Sequence, residues 1–430
     1  MRLRLCLALA AAPLVTASAD PGDLAPAQPV IPHRSFNLAD YGAAPGGRVE
    51  ATAAFRSALA AVERAGGGTL VVGAGEYLTG PITLCSSCEL RLEAGARVLA
   101  SQVPEDYLLG SGQRRPLIGA EACHDIMISG KGVIDGRGEP WWAIERKAKS
   151  EARAKGLHDA EVGRPKMIVL NRCQRVRIEG VTLTNSPMFH LVPSRCEDVT
   201  IDGIQILAPS DSPNTDGIDP SVSRRVLIAR CRIDTGDDCI AVKAGAKGGG
   251  PAEDILVTDC QFLHGHGCSI GSDTVSGVRR MTVRRCTFDG TDIGVRFKSA
   301  RDRGGVVEDV TFTDLKMRRV REAIVISSYY YDLPKYGSRD NARPLTATTP
   351  LWRNLTIRNV VATEGTGSAG LIIGLPEQPA SAIRLDHVRI EAPVGLRLGN
   401  VQGISLHDVA IAVLRGPPLL TDETVTGLDQ

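Results

Sequence analysis

The sequence predicts an all-β fold: a single right-handed parallel β-helix, a solenoid of short strands, with an N-terminal capping helix. Three observations carry that prediction. First, one eight-residue pattern recurs along the chain: apolar, any, apolar, two of any kind, apolar, any, apolar. It appears as Val176-Ile178-Val181-Leu183, Val199-Ile201-Ile204-Ile206, Val226-Ile228-Cys231-Ile233, Ile255-Val257-Cys260-Phe262, Met281-Val283-Cys286-Phe288, Val310-Phe312-Leu315-Met317, Leu355-Ile357-Val360-Ala362, Ile383-Leu385-Val388-Ile390 and Ile404-Leu406-Val409-Ile411. Second, the first positions stand 23, 27, 29, 26, 29, 45, 28 and 21 residues apart, the period of a solenoid coil, and the long step implies an insertion. Third, the runs are rich in β-branched residues with no helical periodicity, and the two-residue turns of a sandwich or propeller are largely missing between them.

The elements follow in order. The chain opens on Met1-Arg2-Leu3-Arg4, an apolar run from Leu5 to Ala17, and the small residues Ala17-Ser18-Ala19. A positive start, a short apolar stretch and a small-residue cleavage site read as a secretory signal peptide over residues 1–19, followed by one β-helix domain over 20–430, secreted or periplasmic. Pro13 argues against a buried helix there. Thr52 to Val62 carries Phe55, Leu59 and Val62 at i, i+4 and i+7, an amphipathic helix placed to cap the open end of the strand stack. Strands are expected at Thr69 to Val72 and Ile82 to Leu84, and an early copy of the repeat begins at Ile126-Ile128. Two segments do not fit the coil, Gly136 to Pro165 and Tyr331 to Pro350; they read as loop insertions walling a groove.

Composition narrows the partners. Fifty Lys and Arg against 49 Asp and Glu in 430 residues give a formal charge of +1, so nothing suggests a nucleic-acid or membrane-surface footprint. Recognition of a charged ligand must be local, and a monomer is expected.

Within each coil a further apolar run recurs, at Phe189-Leu191, Ile218, Cys239-Ala241, Cys268-Ile270 and Val295-Phe297. Asp216 lies just before the Ile218 run, Asp237 and Asp238 before Cys239, and His266 before Cys268, while Arg296 and Lys298 fall within the Val295 run. Residues at one phase of successive coils line up in space, so three carboxylates should meet on one face with a His, an Arg and a Lys beside them. Like charges a few ångströms apart cannot all ionise easily, and one is held protonated. That supplies an acid and a base together, the equipment of glycoside hydrolysis. A guanidinium beside an ammonium suits a substrate carboxylate, so the implied substrate is an acidic sugar. Calcium is the rival occupant of an Asp cluster, and the adjacent cations oppose it.

Four motifs in this order and approximate spacing, Asn214-Thr215-Asp216-Gly217-Ile218-Asp219, Gly236-Asp237-Asp238-Cys239, Gly265-His266-Gly267 and Arg296-Phe297-Lys298, closely resemble the signatures of the polygalacturonases, glycoside hydrolase family 28. Asp40-Tyr41-Gly42, Gly66-Gly67-Gly68-Thr69 and Gly80-Pro81-Ile82 extend the resemblance over nearly the whole mature chain, and Phe297 stands where that family usually has Ile. The resemblance implies Asp237 as general acid, Asp216 and Asp238 activating the attacking water with inversion, and His266 tuning the acid's proton. It implies Arg296 and Lys298 on the galacturonate carboxylate, Tyr330 or, second, Tyr329 packing on the sugar, and Asn214 shaping the turn that presents Asp216. It implies polygalacturonate as substrate, without metal or organic cofactor. A xylogalacturonan hydrolase, a calcium-dependent pectate lyase and a non-catalytic glycan-binding β-helix are the alternatives.

Three finer expectations complete the reading. Cys85-Ser86-Ser87-Cys88 is expected to close a short disulfide, since no second Cys or His pair stands at metal spacing. Cys239 and Cys260, on adjacent coils, form either a second disulfide or two buried thiols. The Gly136 to Pro165 insertion, with Trp141-Trp142 at its root and many cations, is expected to block the N-terminal side of the groove and favour exo action; an ordinary solvated helix is the competing reading.

Overall fold

A computed structural model of the chain describes residues 24–110, 113–157, 161–245 and 248–430. The signal peptide expected over residues 1–19 lies outside them. The fold is a right-handed parallel β-helix, and its strand ladders among the described residues are parallel throughout, running coil to coil.

The repeat read in the sequence is the register of the fold. Val176 pairs with Val199, Val199 with Val226, then Ile255, Met281, Val310, Leu355, Ile383 and Ile404 in turn. A second column runs from Leu183 through Ile206, Ile233, Phe262, Phe288 and Met317. Those side chains are buried, so each coil seals its neighbour and the core is one continuous rod. Between the two strands of each repeat the chain bends through a left-handed residue: Gly180, Gly203, Arg230, Asp259, Arg285, Asp314 and Asn359. Residues with a Cβ pay a steric cost there. Along a second such column cross-coil contacts offset it, Asp125 with Arg175, Asp198 with Arg225 and Asp254 with Arg280.

Two α-helices occur among the described residues. Helix α1, Thr52–Arg64, buries Phe55, Ala58, Leu59 and Val62 against the first coils and caps the stack as expected. Helix α2, Glu139–Ala154, occupies the Gly136 to Pro165 insertion, which is therefore not a loop. It is not an ordinary solvated helix either. Glu145 is fully buried, its carboxylate 3.3 Å from both Arg164 and Lys149, and Trp141 and Trp142 are buried with it. The second insertion, after Tyr330, is irregular and is pinned by Arg301, which pairs with Asp340 at 2.7 Å and Glu377 at 2.6 Å.

The ten described cysteines are free thiols, which corrects both disulfide expectations. Cys85 and Cys88 lie thiol to thiol without a bond. Cys260 stacks between Cys231 and Cys286, whereas Cys239 faces Thr235 and the His264 carbonyl oxygen. These are different columns of the coil, so Cys239 and Cys260 are the buried thiols of the competing reading.

Candidate active site

One ladder positions every candidate. Ile168, Leu191, Ile218, Ile240, Cys268 and Val295 stand in register on consecutive coils. Two residues before each of them come Lys166, Phe189, Asp216, Asp238, His266 and Ile293. One and three residues after Val295 come Arg296 and Lys298; the same offsets give Asp219 after Ile218 and Lys243 after Ile240. Alternation along a strand sends Arg296, Lys298, Asp219 and Lys243 outward while the register residues fill the core, and Lys166, Phe189, Asp216, Asp238 and His266 stand in the bends that lead into the register residues. The structure therefore brings Asp216, Asp237, Asp238, His266, Arg296 and Lys298 together on one face.

Close backbone packing presents the histidine. At Gly265 and Gly267, both at positive φ, a Cβ would lie 2.1 Å from the Asp237 carbonyl oxygen and 2.0 Å from that of Ile293. Only glycine fits on either side of His266, which fixes its ring against the acid pair. His266 Nδ1 stands 3.2 Å from Asp237 Oδ1 and 3.7 Å from Asp238 Oδ1, with neither oxygen in line for a hydrogen bond. Asp237 and His266 are the members open to solvent, their side chains 22% and 30% exposed, whereas Asp216, Asp219 and Asp238 are buried.

Asp238 is held from the C-terminal side. Lys298 Nζ donates to Oδ2 at 2.6 Å, Arg296 Nη1 to Oδ1 at 3.0 Å, and the buried Ser269 hydroxyl to Oδ1 at 2.7 Å. Burial works to raise this carboxyl, but Lys298 and Arg296 outweigh it and hold it below the ordinary value. Burial is likewise outweighed at Asp237, first by His266 and then by Lys298, and its carboxyl lies below the usual range. Both oxygens of Asp238 are thus committed to the chain's own donors, although Asp237, Asp238 and His266 are near enough to one another to share a cation.

The N-terminal side is built differently, and three of its members, Lys243, Asp219 and His190, were missed as site residues in the sequence reading. Lys243 Nζ lies 2.5 Å from Asp219 and 3.1 Å from Asp216, so one ammonium serves two buried carboxyls. Burial, then Asp219, pushes Asp216 well above its ordinary value; burial also raises Asp219 against the pull of Lys243. Lys243 itself is raised well above its usual value despite burial, because both carboxyls favour its charge. His190, fully buried and also missed, holds the Asp216 backbone through its amide at 2.9 Å and Nδ1 at 3.0 Å; burial pushes its ring down to about 4. Asp219 closes the first motif, and its phase one residue after Ile218 was the signal for it.

Asn214 adopts a left-handed backbone, and its amide oxygen accepts from Lys149 at 2.8 Å and Arg164 at 2.7 Å. It joins α2 to the turn that leads into Asp216, as Arg146 does through Asp211 at 2.8 Å. Tyr330 is half-buried with Lys298 5.7 Å from its ring centre, while the hydroxyl of Tyr329 is engaged by Asp340. Tyr330 is the tyrosine that faces the cations of the site.

The chain is similar to known proteins along most of its length. Residues 65–406 match the family described as Glycosyl hydrolases family 28. A polygalacturonase of Chamaecyparis obtusa is 30% identical over 367 residues, 84% of this chain and 68% of that protein. The structure of an exopolygalacturonase from Thermotoga maritima superposes with a TM-score of 0.74 at 28% identity, covering 91% of this chain and 95% of that one. A polygalacturonase from Erwinia carotovora gives 0.70 at 25% identity, covering 92% and 98%.

Proposed function

The chain belongs to glycoside hydrolase family 28, and from that premise we propose that it is an exported enzyme hydrolysing the α-1,4 links of polygalacturonate with inversion. The observation that carries the reading is the pairing of a solvent-open Asp237 and His266 with a buried Asp238 that two cations hold ionised. Asp237 gives its proton to the leaving glycosidic oxygen, and Asp238 takes a proton from the water that attacks C1 on the opposite face. Asp216, whose carboxyl burial pushes above its ordinary value, orients that water.

Arg296 and Lys298 bind the carboxylate of the sugar next to the scissile bond, with Tyr330 along its ring. Binding also prepares the acid. Lys298 is one of the groups holding Asp237 below its ordinary value, so a substrate carboxylate that offsets its charge lets Asp237 take up the proton it must deliver. His266, 3.2 Å from Asp237, tunes that proton. No step of this scheme calls for a metal or an organic cofactor.

Exo action is the finer reading. The wall built by α2 is locked to the Asp211 to Asn214 turn on the N-terminal side of Asp216, which suits a groove closed at that end.

Two assays test the proposal. Incubation with polygalacturonate and EDTA should release reducing ends with no unsaturated, ultraviolet-absorbing product; a calcium-dependent unsaturated product would identify a lyase. Mono- or digalacturonate should appear first, with little loss of viscosity. A ladder of mixed oligomers with rapid viscosity loss would assign endo action.

A further inference from the structure

The cations of the α2 wall are largely committed within the protein. Arg146 is bound to Asp211, Lys149 to Glu145 and Asn214, and Arg164 to Glu145, Asn214 and the carbonyl oxygens of Pro187 and Pro213. Lys166 differs from all of them. It occupies the same phase as Asp216 two coils earlier, and Phe189 stands on the coil between.

The Lys166 ammonium sits 4.8 Å from the centre of the Phe189 ring, and Lys243 lies 3.9 Å from the same ring. Lys243 answers to Asp216 and Asp219, whereas no carboxylate among the described residues stands at ion-pair distance from Lys166. Lys166 is half-buried, and burial depresses its ammonium despite the nearby Asp219. An ammonium held near a second ammonium, partly out of water and with only an aromatic face beneath it, gains strongly from an anion. Asp219, Asp216 and Glu161 act on it only from beyond ion-pair distance, which leaves room for an anion of the substrate. Asp216 and Asp219 lie between this position and Arg296 with Lys298, so the ammonium stands on the opposite side of the reacting bond from the carboxylate seat already described.

We infer that Lys166, supported by Phe189, is a second carboxylate seat: it binds the acidic group of the sugar on the N-terminal side of the cleaved bond and so requires that sugar to be a uronate. This rests on the hydrolase reading above and adds to it a specificity residue. The two seats together make the site read acidity on both sides of the bond, while α2 contributes the wall and not the charge.

The test separates this inference from its parent. Binding of trigalacturonate is measured by calorimetry to Asp237→Asn protein with and without Lys166→Met, a change that keeps the stem over Phe189 and removes the charge. Wild-type hydrolysis of polygalacturonate and the melting temperature of each variant are recorded alongside. Loss of a charge-assisted contact should weaken binding by about ten- to hundredfold. Lys166→Arg should restore most of it, and affinity for the same trisaccharide with its carboxylates reduced to alcohols should not change. Affinity within twofold of the parent protein, or equal losses for the acidic and the reduced sugar, would overturn the seat while leaving the hydrolase reading intact. Absence of both binding and hydrolysis in the wild-type chain would overturn the parent reading and this one with it.

Discussion

Asp238 and Asp216 stand at the same phase on adjacent coils, both buried, and their surroundings drive their protons in opposite directions. On the C-terminal side two cations and a hydroxyl converge on the single carboxylate of Asp238. On the N-terminal side Lys243 is shared by Asp216 and Asp219. The difference is one of counter-charge per carboxyl, because burial opposes ionisation in both places. A coil repeat that stacks like residues can thus set two carboxyls of one residue type on opposite sides of their ordinary value, by varying what stands at other offsets of the repeat.

The largest effect should come from the residue that faces the substrate between these two environments. Asp237→Asn removes the proton donor and should lower kcat by about 10² to 10⁴-fold, with the melting temperature nearly unchanged. Near-wild-type turnover would dissolve the distinction between an open acid and a buried base.

The buried pair gives the next contrast. Asp238→Asn leaves Lys298 and Arg296 without their carboxylate and should cost about 3–5 kcal/mol of stability. Asp216→Asn leaves Lys243 its closer partner Asp219, and should cost less than about 1 kcal/mol. Chemical denaturation of the two variants checks the difference, and equal losses would break the comparison.

A smaller, pH-dependent effect follows for Lys243→Met. Without the ammonium, both Asp216 and Asp219 rise further above the values they have in the unfolded chain. A carboxyl raised in the folded state costs most stability at high pH, where the unfolded chain ionises it freely, and nothing once both states are protonated. The melting-temperature penalty of Lys243→Met should therefore be greatest at neutral pH and shrink as the pH falls toward 4 or so. A penalty independent of pH would mean that Lys243 acts by packing on Phe189.

Much of this was legible in the sequence, for a specific reason. In a solenoid, phase along the chain is position in space, so apolar columns such as Val176 to Ile404 and the meeting of Asp216, Asp237, Asp238, His266, Arg296 and Lys298 could be read directly from spacing. The same rule, applied to every offset, would also have found Lys243 and Asp219, and would have separated Cys239 from the Cys231, Cys260 and Cys286 column. Helix α2 was read only as the competing, solvated alternative because its inward face includes a charged residue: Trp141, Trp142, Glu145 and Ala152 are buried, and Glu145 interrupts the apolar stripe that betrays a packed helix. Arg164, its buried partner, lies ten residues beyond the helix end, where no local pattern points to it.

The central claim, that counter-charge decides which buried carboxyl keeps a proton, is tested most directly by carboxyl ¹³C NMR of the free protein through a pH titration, with Asp216→Asn and Asp238→Asn proteins used to assign the two resonances. Asp216 should titrate above the ordinary aspartate value and Asp238 below it. An Asp238 resonance that titrates above that of Asp216 would contradict the account.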